Sequence, residues 1–151
     1  MLYIFMGQSC TGKSTVVEKL KEQMDVEVFS GKDYLRLAKS ESAAWNLFYE
    51  KLLEAASSAN ASQTPVVYVV TEKDLFDKVC SLENAYKVKF TASLDVIKSR
   101  FAQRMGGHLP PPVEKMLERQ HAIWDAIEGD QTVDTTDTVD PLDIVKSIMQ
   151  A

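Results

Sequence analysis

Met1-Leu2-Tyr3-Ile4-Phe5-Met6-Gly7-Gln8-Ser9-Cys10-Thr11-Gly12-Lys13-Ser14-Thr15 opens the chain, and the reading of this stretch decides the rest. Leu2 to Met6 is an apolar run long enough for a buried strand, and it breaks at Gly7. Gly7, Gly12, Lys13 and Ser14 then fill the spacing G-x-x-x-x-G-K-[ST]. A loop that wraps a polyphosphate must turn its backbone N–H groups inward. The two glycines can take backbone angles, and permit a close approach, that a side chain would obstruct.

The next segment, Ser14 to Met24, places Val16, Val17, Leu20 and Met24 on one helical stripe. A helix N-terminus therefore points its partial positive charge at the same loop. Gly7, Ser9, Cys10, Thr11, Gly12, Lys13, Ser14 and Thr15 are the expected nucleotide-binding residues. Lys13 would reach the β- and γ-phosphates of ATP, and Ser14 would supply its hydroxyl to Mg²⁺. A chance match in a glycine turn would lack the strand before it and the helix after it.

With 151 residues, the chain fits one domain, 1–151, able to bury a core without metal or disulfide staples. An apolar share of 45% and a charged share of 26% are ordinary for a globular protein. A net charge of −5 argues against a general nucleic-acid binder, which needs a basic stripe to displace counterions. Cys10 and Cys80 are too few and too far apart for a disulfide framework or a metal knuckle, so reduced thiols in the cytoplasm are expected. The opening apolar run lacks a basic lead-in, and no stretch approaches the ~20 residues of a membrane helix. Neither an export signal nor a membrane span is expected.

Along the chain, Val26-Glu27-Val28-Phe29 reads as a short strand closed by Ser30 and Gly31. Asp33 follows just past its end, where ligands lie in open α/β sheets; it could equally cap the helix containing Leu35, Leu37 and Ala38. Trp45, Phe48, Tyr49, Leu52 and Ala56 mark a helix from Ser42 to Ser57-Ser58-Ala59-Asn60, with Asn46 and Tyr49 as secondary candidates for a substrate wall. Val66 to Val70 lacks alternation, which implies burial on both faces. Thr71-Glu72-Lys73-Asp74 could hold Mg²⁺ through water, orient a nucleophile, or start a helix.

Tyr86 to Phe90 reads as a fourth strand, and Ser93 can cap the helix of Leu94, Ile97, Phe101 and Met105. Arg100 and Arg104 lie one turn apart on that helix. Gly106, Gly107 and the stiff run His108 to Pro112 follow, ahead of a helix with Val113, Met116, Leu117, Gln120, Trp124 and Ile127 on one face. Together these predict a hinged cover, approximately residues 100–120, rather than a plain connector. A last strand is expected around Val133, and Asp140-Pro141 starts a closing helix anchored by Leu142, Val145 and Met149. His108 is expected in the cover's loop and His121 on a helix surface.

A phosphate loop at the start, an acidic residue after the second strand and paired arginines after the fourth resemble a small P-loop kinase of the nucleoside monophosphate, shikimate and gluconate kinase kind. The resemblance implies an α/β three-layer P-loop NTPase fold: a five-stranded parallel sheet ordered 2-3-1-4-5, flanked by helices, with a small helical lid. The lid text, Arg100 to Arg104 and then Gly107-His108-Leu109-Pro110-Pro111 with Gln120 beyond, is most similar to gluconate kinases. It implies that Arg100 and Arg104 contact ATP phosphates or adenine and that Asp33 meets the acceptor hydroxyl. Lys32-Asp33-Tyr34 is shorter than the gluconate kinase segment, and Gln8 and Cys10 depart from its loop.

The expected activity is ATP- and Mg²⁺-dependent phosphoryl transfer to a small-molecule acceptor such as a sugar acid, a shikimate-like compound or a nucleoside or nucleotide. Lys13, Asp33, Arg100 and Arg104 are the expected catalytic residues, and Ser14 the metal ligand. A monomer or homodimer is expected. The competing classes are an ATP-binding regulatory switch without turnover and a nucleic-acid 5′-end kinase, the second opposed by the acidic balance. The Asp-x-x-Gly and Asn-Lys-x-Asp motifs of a GTPase and the Ser-Gly-Gly-Gln motif of a transporter ATPase are missing from the sequence.

Overall fold

The computed structural model describes residues 1–57, 64–137 and 139–150. Five strands, β1 (Leu2–Met6), β2 (Glu27–Ser30), β3 (Val66–Val70), β4 (Ala85–Thr91) and β5 (Gln131–Asp134), pair in parallel in the order 2-3-1-4-5. The helices are α1 (Lys13–Gln23), α2 (Glu41–Ser57), α3 (Lys73–Val79), α4 (Leu94–Arg104), α5 (Pro111–Asp125) and α6 (Pro141–Met149). This is the three-layer α/β architecture expected above.

The central strands are apolar without alternation because both faces are covered. Leu2, Ile4 and Met6 of β1 join Val66, Tyr68 and Val70 of β3 beneath Phe48 and Leu52 of α2, Phe76 of α3 and Trp124 of α5. Tyr3 and Phe5 point the other way, into a second core with Val16, Val17 and Leu20 of α1 and Ile144, Val145 and Ile148 of α6. A third, smaller cluster sits at the carboxyl edge of the sheet. There Ile97 of α4 and Leu117 of α5 pack against Cys10 of the loop, so the base of the expected lid rests on the loop itself.

Local chemistry sets the helix starts. The Ser93 hydroxyl accepts from the Val96 N–H at 3.3 Å, and the Asp140 carboxylate accepts from the Leu142 N–H at 2.9 Å with Pro141 in the first turn.

Two expectations differ from what is found. The segment after β2 forms a short 3₁₀ turn, Asp33–Leu37, rather than a helix through Ala38, whose backbone is extended. Tyr34 is drawn into an aromatic cluster, its ring 5.0 Å from Trp45 and 5.7 Å from Phe48, and this packing sets the turn's path. In α6 the buried face is Ile144, Val145 and Ile148; of the expected anchors Leu142, Val145 and Met149, Val145 is buried, Met149 packs partly buried against the same core, and Leu142 is only half-buried. Both sets recur at helical spacing, and the fit against α1 selects between them. Of the readings open for Thr71 to Asp74, the helix start is the one that forms: Thr71 leaves β3 and α3 begins at Lys73 with Glu72 at its cap position. The expected helix end at Ser58-Ala59-Asn60 lies outside the described residues.

Candidate functional site

The loop from Gly7 to Gly12 leaves β1 at the carboxyl edge of the sheet and feeds α1. Gly7 has φ +145, and its N–H donates to the Val70 carbonyl at 3.1 Å. A Cβ there would lie 2.2 Å from the Phe90 carbonyl oxygen, so the close approach of β4 demands glycine. Cys10 adopts φ +66, a conformation costing a side-chain-bearing residue roughly 1 kcal/mol.

The carbonyls of the loop are held from one side. Arg100 Nη1 donates to the Cys10 carbonyl at 2.9 Å and to Thr135 Oγ1 at 3.1 Å, while its Nη2 donates to the Thr135 carbonyl at 2.5 Å. Thr135 Oγ1 donates in turn to the Thr11 carbonyl at 2.9 Å. Lys13 is folded back under the loop and is only 5% exposed. Its Nζ donates to the Gly7 carbonyl at 2.7 Å, the Gln8 carbonyl at 2.6 Å and Thr11 Oγ1 at 3.3 Å. Among the described residues no protein acceptor takes the backbone N–H groups from Ser9 to Ser14. These orphaned donors at a helix start make a site for an anion.

Burial pushes the Lys13 pKa down to about 7; Cys10 opposes the shift, and the Arg104 guanidinium adds to it. Gln8 is buried, and its side-chain amide donates to the Leu117 carbonyl at 2.9 Å. Gln8 and Cys10, the loop positions that depart from the gluconate kinase pattern, are therefore the two that dock α5 on the loop.

Two cavities flank the loop and share Cys10, Gly12, Thr15 and Arg104. One, of about 360 Å³, is lined by Lys13 and Ser14 on the loop side and by Ser30, Gly31, Thr71 and Glu72 opposite. The other, of about 320 Å³, lies between Arg100, Thr135, Asp137, Val139 and Ile144.

Lys13, Ser14 and Arg104 thus come together as expected. Arg100 reaches the second cavity, with its guanidinium engaged by Cys10 and Thr135. Asp33 stands apart: its carboxylate accepts from the Ser30 N–H at 2.9 Å, lies 4.0 Å from Arg36, and is not on the cavity wall. The expected N-cap bond is not found either: Lys32 holds the cap position of the turn with no side-chain cap bond, and the Asp33 carboxylate reaches back to the Ser30 N–H instead. Glu72, first acidic residue after the buried run of β3, lines the cavity instead. Asn46 and Tyr49 line a separate depression with Trp45 and Lys78. His108 is exposed, whereas the half-buried His121 places Nε2 3.3 Å from the Ala92 carbonyl. Among the described residues there is no cluster of three potential metal-binding side chains, both cysteines are free, and no helix is long and apolar enough to cross a membrane.

No family model matches the chain, and no curated protein matches it by sequence. Solved structures do. A gluconokinase from Sinorhizobium meliloti is 19% identical, with 99% of this chain and 89% of that one covered at a TM-score of 0.61. A shikimate kinase from Acinetobacter baumannii, in complex with shikimate, is 15% identical over 98% and 90% of the two chains at 0.60. The YorR protein of Bacillus subtilis, in complex with phosphorylated GDP, is 23% identical over 99% and 94% at 0.57. The chain has the fold of the small P-loop kinases.

Proposed function

We propose that this protein is an ATP-dependent kinase that transfers the γ-phosphoryl group to a hydroxyl of a small metabolite. The observation that carries the reading is the row of unclaimed N–H groups from Ser9 to Ser14, with Lys13 beneath and a cavity on each side. The transferring group spreads negative charge over its oxygens, so fixed donors and cations that meet that charge supply most of the catalysis. The loop amides and Lys13 hold the β- and γ-phosphates, the second cavity takes the nucleoside, and Arg104, which lines both, closes over the moving group. Lys13 must exchange the Gly7 and Gln8 carbonyls for phosphate oxygens when nucleotide enters.

The acceptor sits against Ser30, Thr71 and Glu72. Its hydroxyl oxygen forms the new bond to the γ-phosphorus as the bond to the β–γ bridging oxygen breaks, ADP leaves, and the proton passes to the Glu72 carboxylate. Asp33 serves this site by fixing the turn after β2. Mg²⁺ fits the donor set: Ser14 presents an exposed hydroxyl to the cavity, and hard oxygen donors completed by phosphates and water are what this ion takes. When bound, it neutralises charge on the β- and γ-oxygens.

Calorimetry with a non-hydrolysable ATP analogue is expected to register uptake strengthened by Mg²⁺, and ADP is expected to accumulate with at least one hydroxyl metabolite. No uptake by the folded protein would remove the basis of the proposal. Binding without ADP release across a broad panel would favour a nucleotide-responsive switch.

Arg100 acts on nucleotide through the loop as well as through charge. Arg100→Ala is expected to weaken binding of the ATP analogue by about 10–100-fold, the scale of lost hydrogen bonds to a charged group. Thr135→Val, which keeps the guanidinium, is expected to reproduce a measurable part of that loss. An unchanged affinity in Thr135→Val would show that the brace does not shape the loop.

A further inference from the structure

The wall of the first cavity that faces the loop is built from the ends of β2 and β3 and the first turn of α3. It offers the hydroxyl-bearing residues Ser30 and Thr71, the apolar faces of Val69 and Leu75, and one charged group, Glu72. Among the described residues nothing hydrogen-bonds to or ion-pairs with the Glu72 carboxylate.

The cations nearest in sequence are engaged or stand off the wall. Lys73 pairs with Asp77, Arg36 faces Asp33, and Lys78 lies 4.6 Å over the Trp45 ring. Lys32 is exposed and does not line the cavity. Lys13 and Arg104 also line the cavity, but in the kinase reading they are committed to the triphosphate.

We infer that the acceptor is a hydroxyl compound carrying no carboxylate or phosphate of its own: a polyol, a sugar or an amino alcohol, neutral or positively charged. This rests on the kinase reading and narrows it. An anionic acceptor would bring its charge up to the solvent-exposed Glu72 carboxylate with no cation of that wall to meet it, and like charges brought together repel. A neutral polyol exchanges water for the hydroxyls of Ser30 and Thr71 and lays its carbon face on Val69 and Leu75. An ammonium group adds a favourable pairing with Glu72.

The test is a comparison of skeleton-matched acceptors that differ only in charge: glucosamine, glucose and gluconate; serinol, glycerol and glycerate; a nucleoside and its monophosphate. Transfer is measured from γ-labelled ATP with Mg²⁺, alongside calorimetry with the non-hydrolysable analogue. In every set that is turned over, kcat/KM for the anionic member is expected to be at least about tenfold below that of its neutral or cationic partner. Glu72→Gln, which also removes the proposed proton acceptor and so lowers transfer to every member, is expected to erase the advantage of the cationic member over the neutral one in the residual rates while leaving the analogue's Kd within about twofold. Lys32→Ala is expected to leave the ranking unchanged.

Preference for an anionic member in any set overturns the inference. So does binding of the analogue with no transfer to any member, which leaves the nucleotide site standing. Failure of the analogue itself to bind removes the kinase reading instead.

Discussion

Replacing Lys13 by methionine is expected to lower phosphoryl transfer by on the order of 10²–10³-fold or more, as when a preorganised donor to a developing charge is lost. The fold should survive, because the methylene stem that fills the space beneath the loop is retained. The same variant exposes a proton linkage. Burial holds the Lys13 pKa near 7 in the free protein, against an ordinary value of 10.5. At pH 8 the folded, empty protein therefore carries this amine largely neutral, and a bound polyphosphate draws a proton onto it. Calorimetry at pH 8 in buffers of different ionisation enthalpy should show proton uptake by the wild type that Lys13→Met lacks; near pH 6 the two should agree.

The folding equilibrium of the free protein moves the opposite way. Between pH 7 and 10.5 the unfolded chain binds more protons at this group than the folded one, so its contribution to stability rises with pH through that window. It is lost as pH falls through 7. Lys13→Met should accordingly gain most over the wild type at the acid end, in urea titrations at matched pH. A wild type whose analogue binding takes up no more protons than the variant's at pH 8 would contradict the buried, neutral amine.

Much of this site was legible because its chemistry is local in sequence. Gly7 to Thr15 is a contiguous stretch whose spacing carries its own reason, and the unalternating runs at β1 and β3 announce strands covered on both faces. Ser93 and Asp140 cap where they were expected to, since a cap acts within two or three residues. Arg100 was harder. Its partners, Cys10 and Thr135, lie far off in the sequence, and only folding brings a loop, a helix and the exit of β5 to one guanidinium. Position beside Arg104 on a helix says that both arginines face one way, not that one is already occupied.

Asp33 and Glu72 illustrate the same limit from the other side. Both follow strands, so both satisfy the rule that ligands lie beyond carboxyl ends. What separates them is where each carboxylate points. Asp33 turns back onto the Ser30 N–H of its own tight turn, while Glu72 opens α3 with no capping bond and remains available to the cavity. The face of α6 was ambiguous for a related reason: two triplets of aliphatic residues recur at helical spacing, and only the shape of α1 opposite decides. Sequence periodicity names a stripe more readily than the direction it faces.

Gly7→Ala is expected to cost about 3 kcal/mol or more of folding stability, beyond what backbone angle alone can exact. The methyl group would arrive 2.2 Å from the Phe90 carbonyl oxygen and 3.2 Å from its carbonyl carbon. Both belong to the backbone of β4, which is paired along its length with β1 and β5, so the obstacle cannot swing aside as a side-chain tip would. Gly106→Ala supplies the control. That glycine also has a positive φ, +85, but a Cβ there meets nothing within 4 Å, so its loss should reflect conformational strain alone, about 1 kcal/mol. Urea denaturation of the two variants separates clash from strain. A Gly7→Ala protein as stable as Gly106→Ala would mean that β4 can retreat from the loop, and that Gly7 is there for the approach of a ligand rather than of a neighbouring strand.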